Sequence, residues 1–115
     1  MSQRQERFAR LVQQELASLM REVKDPRVAD AGLVTITQVR VTADLGLARV
    51  AVTLHDGSAE KETALVQGLQ RAAPFLRAEL RRRLDSKKTP ELRFEIDHGA
   101  EAATRVGQIL DDLKK

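Results

Sequence analysis

Only three short runs of this chain read as β-strands, and that scarcity constrains the fold more than any other feature. A sheet of three strands can bury one face at most, so helices must supply the second layer. Residues 33 to 41, LVTITQVRV, are rich in β-branched side chains and give the first expected strand. Val34 and Ile36 share one face there, whereas Val39 and Val41 share the other. A bulge near Thr37 or Gln38 reconciles them; partial burial of both faces does so equally well. Residues 47 to 54 alternate cleanly, with Ala48, Val50, Val52 and Leu54 facing one way. The turn segment TADLG joins the two runs into an antiparallel hairpin. Residues 91 to 97, ELRFEID, alternate Leu92, Phe94 and Ile96, and this third strand has to join an edge of the same sheet.

The rest of the chain has helical period. Residues 4 to 23 place Phe8, Leu11, Val12, Leu16, Leu19, Met20 and Val23 on one apolar stripe, with Ser2 in position to cap it. Asp25-Pro26 ends this helix, since proline disfavours helical backbone in the residue before it. The segment DPRVADAG is then a connecting loop. After the hairpin, HDGSAEK is a turn with Ser58 as the next cap. From Ala59 to Leu84 the stripe is Leu65, Leu69, Ala72 or Ala73, Leu76, Leu80 and Leu84. Pro74 interrupts it, which predicts two helices meeting at Ala73-Pro74. Gly68 costs ~1 kcal/mol relative to alanine in such a helix, which either close packing against the sheet justifies or the helix simply tolerates. Residues 86 to 90 form a basic loop, and residues 100 to 113 make a final helix. The expected order is α-β-β-α-α-β-α, an α+β sandwich spanning residues 1 to 115 as a single domain.

Composition narrows the function classes. The 115 residues include no cysteine, which removes disulfides, thiolate metal sites and thiol catalysis and fits a reducing cytoplasm. No apolar run has the length of a membrane span or a signal-peptide core. Three Phe, no Trp and no Tyr weigh against a module that stacks bases on an aromatic sheet. The only histidines are His55 and His98, and the Asp97-His98 pair sits in no nucleophile or metal-ligand motif. Neither catalytic residues, a metal nor a cofactor is expected.

Charge is where the sequence speaks. Residues 71 to 88 hold Arg71, Arg77, Arg81, Arg82, Arg83, Lys87 and Lys88 against Glu79 and Asp85, a net +5 within a chain of +3. Such a cluster neutralises phosphates and releases their counterions without reading sequence. It also matches a plain solvated helix, and Arg81 to Arg83 span too much of a turn to face one ligand. Arg77 and Arg81, four apart, do share a face. Arg4, Arg7 and Arg10 form a second stripe on the first helix, diluted by Glu6 and Glu15. Near the C-terminus, Asp111 and Asp112 oppose the helix dipole and Lys114 and Lys115 offset them, which predicts a tail that frays when free.

Taken together, the ordered segments resemble the ribosome-binding factor A family over essentially the whole chain. They are Asp25-Pro26-Arg27, Val34-Thr35-Ile36-Thr37 with Val39, Asp44-Leu45 with Ala48 and Val50, Leu69 and Ala72 through Leu76-Arg77 and Leu80, and Pro90-Glu91-Leu92 with Phe94 and Asp97. The resemblance implies a type II KH-like fold, whose α-β-β-α-α-β order matches that of the elements expected over the first 97 residues. It implies binding to small-subunit (16S) ribosomal RNA, late maturation of the small ribosomal subunit, processing of that RNA's 5′ end and growth in the cold. The family binds and does not cleave. In it, an Ala-x-Gly kink between the central helices replaces the Gly-x-x-Gly loop of ordinary KH domains. The matching segment here is Ala72-Ala73-Pro74, with proline where the family has glycine.

The expected RNA-binding residues are therefore Arg7, Arg10, Arg71, Arg77, Arg81, Arg82, Lys87 and Lys88, with Ala72, Ala73 and Pro74 as the kink. The expected partner is the small ribosomal subunit, bound by a monomer. A protein–protein adaptor docking an acidic partner is the alternative, and a small enzyme using Asp97 and His98 is the distant third.

Overall fold

A computed structural model of the chain describes residues 1–84 and 88–98. The expected final helix and the C-terminal tail lie outside them, as do Asp85, Ser86 and Lys87. Strands β1 (Val34–Val41), β2 (Leu47–Leu54) and β3 (Glu91–Ile96) form one sheet in the order β1-β2-β3. β1 and β2 pair antiparallel, and β3 runs parallel to β2 on its other side. A parallel neighbour cannot be reached by a tight turn, so the long helix between β2 and β3 is the required crossover.

The register explains the imperfect alternation of β1. It shifts between Ile36 and Gln38, so a bulge at Thr37 lets Ile36, Val39 and Val41 all point to one face. Those residues oppose Val52, Val50 and Ala48, which in turn oppose Ile96, Phe94 and Leu92. The Thr37 hydroxyl donates to the Asp97 carboxylate at 2.6 Å, tying the bulge to the end of the far strand. In the hairpin turn Leu45 has φ +60°, a conformation costly for a branched side chain. Burial of its side chain and the Asp44 carboxylate, which accepts from the Gly46 amide at 2.9 Å and the Thr42 hydroxyl at 2.6 Å, hold it there.

Helix α1 (Gln3–Leu19) starts on a reciprocal cap: Ser2 Oγ accepts from the Gln5 amide, and Gln5 Oε1 accepts from the Ser2 amide. A single 3₁₀ turn (Met20–Glu22) finishes it. Phe8, Val12, Leu16, Leu19, Met20 and Val23 enter the core, but Leu11 is 47% exposed at the margin of the stripe. The expected loop at DPRVADAG contains a short helix, α2 (Pro26–Ala29). The signals that stop α1 also start α2: Asp25 accepts from the Arg27 amide as a cap, and Pro26 fills a first-turn position.

The two helices expected to meet at Ala73-Pro74 are one. Helix α3 runs unbroken from Ala59 to Arg83, with Ala72, Ala73 and Pro74 inside it. Leu65 and Leu69 before the proline and Leu76 and Leu80 after it are all fully buried in the same core, so packing holds both halves on one axis. Pro74 is exposed, and the bond it removes lies on the solvent side.

Helix glutamines secure both sheet edges. Gln5 and Gln13 donate to the Val41 and Ile36 carbonyls of β1 at 3.0 and 3.3 Å. On the opposite edge Gln70 donates to the Leu92 carbonyl at 3.0 Å and accepts from the Phe94 amide at 3.2 Å. Edge groups that are engaged this way cannot template another strand.

Gly68 admits a close approach, to α2 rather than to the sheet. A β-carbon there would lie 2.9 Å from Val28 Cγ2 and 3.0 Å from Arg27 Cβ. Gly68→Ala therefore forfeits the ~1 kcal/mol that alanine ordinarily gains in a helix. Gly68→Leu is expected to destabilise by about 1–3 kcal/mol through overpacking. Urea denaturation of both variants checks this, and a stabilised Gly68→Ala would count against the contact.

The same α2 junction carries a pH signature. The Arg27 guanidinium grips the Asp25 carboxylate through Nε at 3.1 Å and Nη2 at 2.8 Å. Those bonds first, and the Arg27 amide second, hold the Asp25 carboxyl down from 3.8 to about 2. A folded-state pKa below the unfolded one contributes stability that is complete above about pH 4 and is lost as pH falls through about 2. The stability gap between the native protein and Asp25→Asn should stay constant from neutral pH to about pH 5 and close toward pH 2.

Candidate nucleic-acid interface

Three elements converge on an open cleft of about 830 Å³. Pro74, Arg77, Ala78, Arg81 and Arg82 line it from α3, Gly46 from the hairpin turn, and Lys88 and Thr89 from the segment entering β3. Helical spacing puts Arg77 and Arg81 one above the other, and the buried Leu76 and Leu80 beside them fix which way they face. Arg77 Nη2 donates to the Thr89 carbonyl at 3.1 Å, and Lys88 Nζ donates to the Asp44 carbonyl at 3.0 Å. A carbonyl carries no net charge, so each of these two bonds positions its cation without itself neutralising it. Arg82 meets Glu79 at 3.5 Å in an exposed pair, and Arg81 has no ion pair among the described residues.

The rim also carries an anion. The Thr42 hydroxyl, the Gly46 amide and nearby Lys88 hold the Asp44 carboxyl below the usual range. Lys88 offsets that charge where the turn meets the cleft. Pro74, which lines the cleft, has no N–H to donate to a phosphate.

The other expected residues are dispersed. Arg83 turns away and meets Glu15 at 3.3 Å and Glu22 at 3.7 Å, fastening the end of α3 to α1. Arg71 is exposed on α3 beside α2, near enough to Asp25 to help lower its pKa. Arg4 and Arg7 line a separate hollow of about 450 Å³ with Phe8, Leu11 and Leu45, and Arg10 is exposed outside it. Leu45 and Gly46 are neighbours, so the hairpin turn separates that hollow from the cleft. Lys87 lies outside the described residues.

Sequence reasoning missed the contribution of Gly46, Asp44 and Thr89. Its only signal was the turn chemistry of TADLG, which says nothing about which helix the turn approaches. His55 pairs with Asp56 at 3.3 Å in the open, and Asp97 accepts from Thr37. Among the described residues there is no group of three His, Cys, Asp or Glu able to hold a metal ion. Among them, too, no helix is long and apolar enough to cross a membrane.

The family model described as ribosome-binding factor A matches residues 4–110. The ribosome-binding factor A of Azoarcus sp. (strain BH72) is 42% identical, over 95% of this chain and 84% of that protein. Among solved structures, the solution structure of a Thermotoga maritima protein described as a putative ribosome binding factor A superposes with a TM-score of 0.74 at 28% identity. That superposition covers 86% of this chain and 92% of the other. A Thermus thermophilus ribosome binding factor A, fitted as a homology model into a cryo-EM map of its complex with the 30S subunit, gives 0.61 at 26% identity. It covers 76% and 88% of the two chains. A full-length sequence match and a shared KH-like α+β fold lead to one conclusion: the chain belongs to the ribosome-binding factor A family.

Proposed function

We propose that this protein is a non-catalytic maturation factor of the small ribosomal subunit, acting in the cytoplasm as a single-domain monomer. The observation that carries the reading is the cleft, where Arg77, Arg81, Arg82 and Lys88 gather between α3, the hairpin turn and the entry to β3. The Thermus relative fitted into a 30S complex supports the choice of polyanion. Arginine suits the task, because its planar fork binds phosphate oxygens in pairs and never deprotonates. The cleft takes the phosphate backbone of small-subunit ribosomal RNA, and α1 adds Arg7 and Arg10 beyond the turn. Arg71 adds charge further back on α3, and Lys87, outside the described residues, adds charge next to Lys88 in sequence.

Binding of this kind acts on assembly only through differential affinity. The protein holds one conformation of immature RNA more tightly than its competitors and so biases folding toward the form in which the 5′ end is processed. Such bias matters most in the cold, where misfolded RNA escapes slowly.

Sedimentation of the purified protein with isolated small subunits across a salt series, with large subunits as control, tests the proposal. Selective co-sedimentation that fades as salt rises is the expected result. Equal binding to both subunits would reduce the protein to a general polyanion binder. Binding that survives ribonuclease would favour an acidic protein partner instead.

A further inference from the structure

The face of the sheet away from the helices holds an arrangement that the sequence conceals. Arg40 on β1 pairs directly with Arg49 on β2, and Arg49 pairs directly with Arg93 on β3. All three are exposed. They alternate with Val39 and Val41, Ala48 and Val50, and Leu92 and Phe94, which are buried under the helices, so the guanidinium groups leave by the open face. Directly opposite residues have β-carbons ~5 Å apart, so the row spans about 10 Å across the strands. Among the described residues none of the three makes an ion pair or a side-chain hydrogen bond. Glu91 and Glu95, two residues either side of Arg93 on the same face, stay outside ion-pair distance.

Like charges placed directly opposite destabilise a sheet, and the two flanking glutamates do not pair with the row to relieve it. The row therefore opposes the fold that displays it. It lies on the opposite face of the sheet from α1 and α3, so no ligand in the α3 cleft accounts for it. A protein partner would need an apolar or aromatic anchor at the centre of its contact. The same-face neighbours of the row are Gln38 on β1, Leu47 and Ala51 on β2, and Glu91 and Glu95 on β3; none is aromatic, and Leu47, half-buried at the strand end, is the one large apolar side chain among them. What the face offers is a line of planar, permanently charged forks, and that is the chemistry of a phosphate backbone.

We propose that Arg40, Arg49 and Arg93 form a second phosphate-binding surface, which takes a ribosomal RNA strand laid across the three β-strands. The protein is then clamped between two stretches of RNA, one in the α3 cleft and one beneath the sheet. This rests on the RNA-binding reading above, and it supplies a means of holding two RNA elements in fixed relation while the subunit matures.

The test is the triple variant Arg40→Gln, Arg49→Gln and Arg93→Gln, measured against small subunits and against their deproteinised RNA in salt titrations. Its thermal midpoint should equal or exceed that of the native protein, because repulsion is relieved. Affinity should fall about tenfold on both ligands, and the slope of log K against log salt should flatten by about two. A triple lysine variant keeps the charge and should keep the slope. Should the glutamine triple fail to fold, Arg49→Gln alone should flatten the slope by just under one. Unchanged affinity and slope, alongside a cleft variant that does lose binding, would overturn the sheet surface and leave the cleft standing. Weaker binding to subunits with undiminished binding to bare RNA would also overturn it, in favour of an acidic ribosomal protein. If neither variant changes binding, the cleft reading falls as well.

Discussion

Replacing Arg77, Arg81 and Arg82 with glutamine together with Lys88 should weaken binding to small ribosomal subunits on the order of a hundredfold at moderate salt. These four side chains line one cleft from two segments of the chain. Each phosphate neutralised contributes about 0.7 to 0.9 to the slope of log K against log salt, so the quadruple variant should flatten it by about three. All four are exposed, so the fold should hardly notice: Arg77 and Lys88 bond to the Thr89 and Asp44 carbonyls, and Arg82 makes a surface pair with Glu79. Exposed pairs of that kind contribute about 0–1 kcal/mol. Arg83→Gln is the sharpest control, since Arg83 follows Arg82 in sequence but meets Glu15 on α1 and Glu22 in the 3₁₀ turn after it. It should leave the salt slope alone and lower stability slightly. A slope equally flattened by Arg83→Gln would mean that the whole basic run acts as diffuse charge and that the cleft has no special standing.

Truncating the core should produce the largest loss of stability. Leu16 on α1 and Leu69 on α3 are both 0% exposed and belong to the one core that joins the helices to the sheet. Leu→Ala at such sites costs about 2–5 kcal/mol, from lost transfer energy together with the cavity left behind. A domain of this size has only about 5–15 kcal/mol in all. Leu16→Ala or Leu69→Ala should therefore lower Tm by on the order of 10 °C or more. Leu11→Ala, on the same helix and in the same apparent stripe, should cost less than about 1 kcal/mol, because Leu11 is 47% exposed. Equal losses at positions 11 and 16 would contradict the placement of α1. Thermal melts of the three variants are sufficient to decide.

Much of this architecture was legible in the residues alone. Local signals set the elements: the Ser2 and Ser58 caps, the β-branched runs and the turn chemistry of TADLG. Each depends on interactions within a few residues, and those are written directly in the chain. The broken alternation of β1, by contrast, fitted a bulge or burial of both faces equally until the strand register showed the bulge. The reading failed where one local signal had two outcomes. Asp25-Pro26 stops one helix and starts another, because a capping aspartate and a first-turn proline satisfy both roles. Pro74 carries the local cost of a helix breaker, yet four fully buried leucines on α3 outweigh it and the helix continues.

Composition and spacing showed that charge gathers between residues 71 and 88, but not what that charge faces. Tertiary structure alone sorted it, sending Arg83 to Glu15 on α1 and Glu22 just after it, Arg71 toward Asp25, and Arg77, Arg81, Arg82 and Lys88 to a shared cleft. It alone brought Gly46 to that cleft, over a sequence distance of some thirty residues. It alone aligned Arg40, Arg49 and Arg93 in one row, because strand register depends on pairing between distant segments and on a single bulged residue. Periodicity states which face a side chain takes within its own element. Which neighbours share that face is decided only when the core closes and fixes every element against the others.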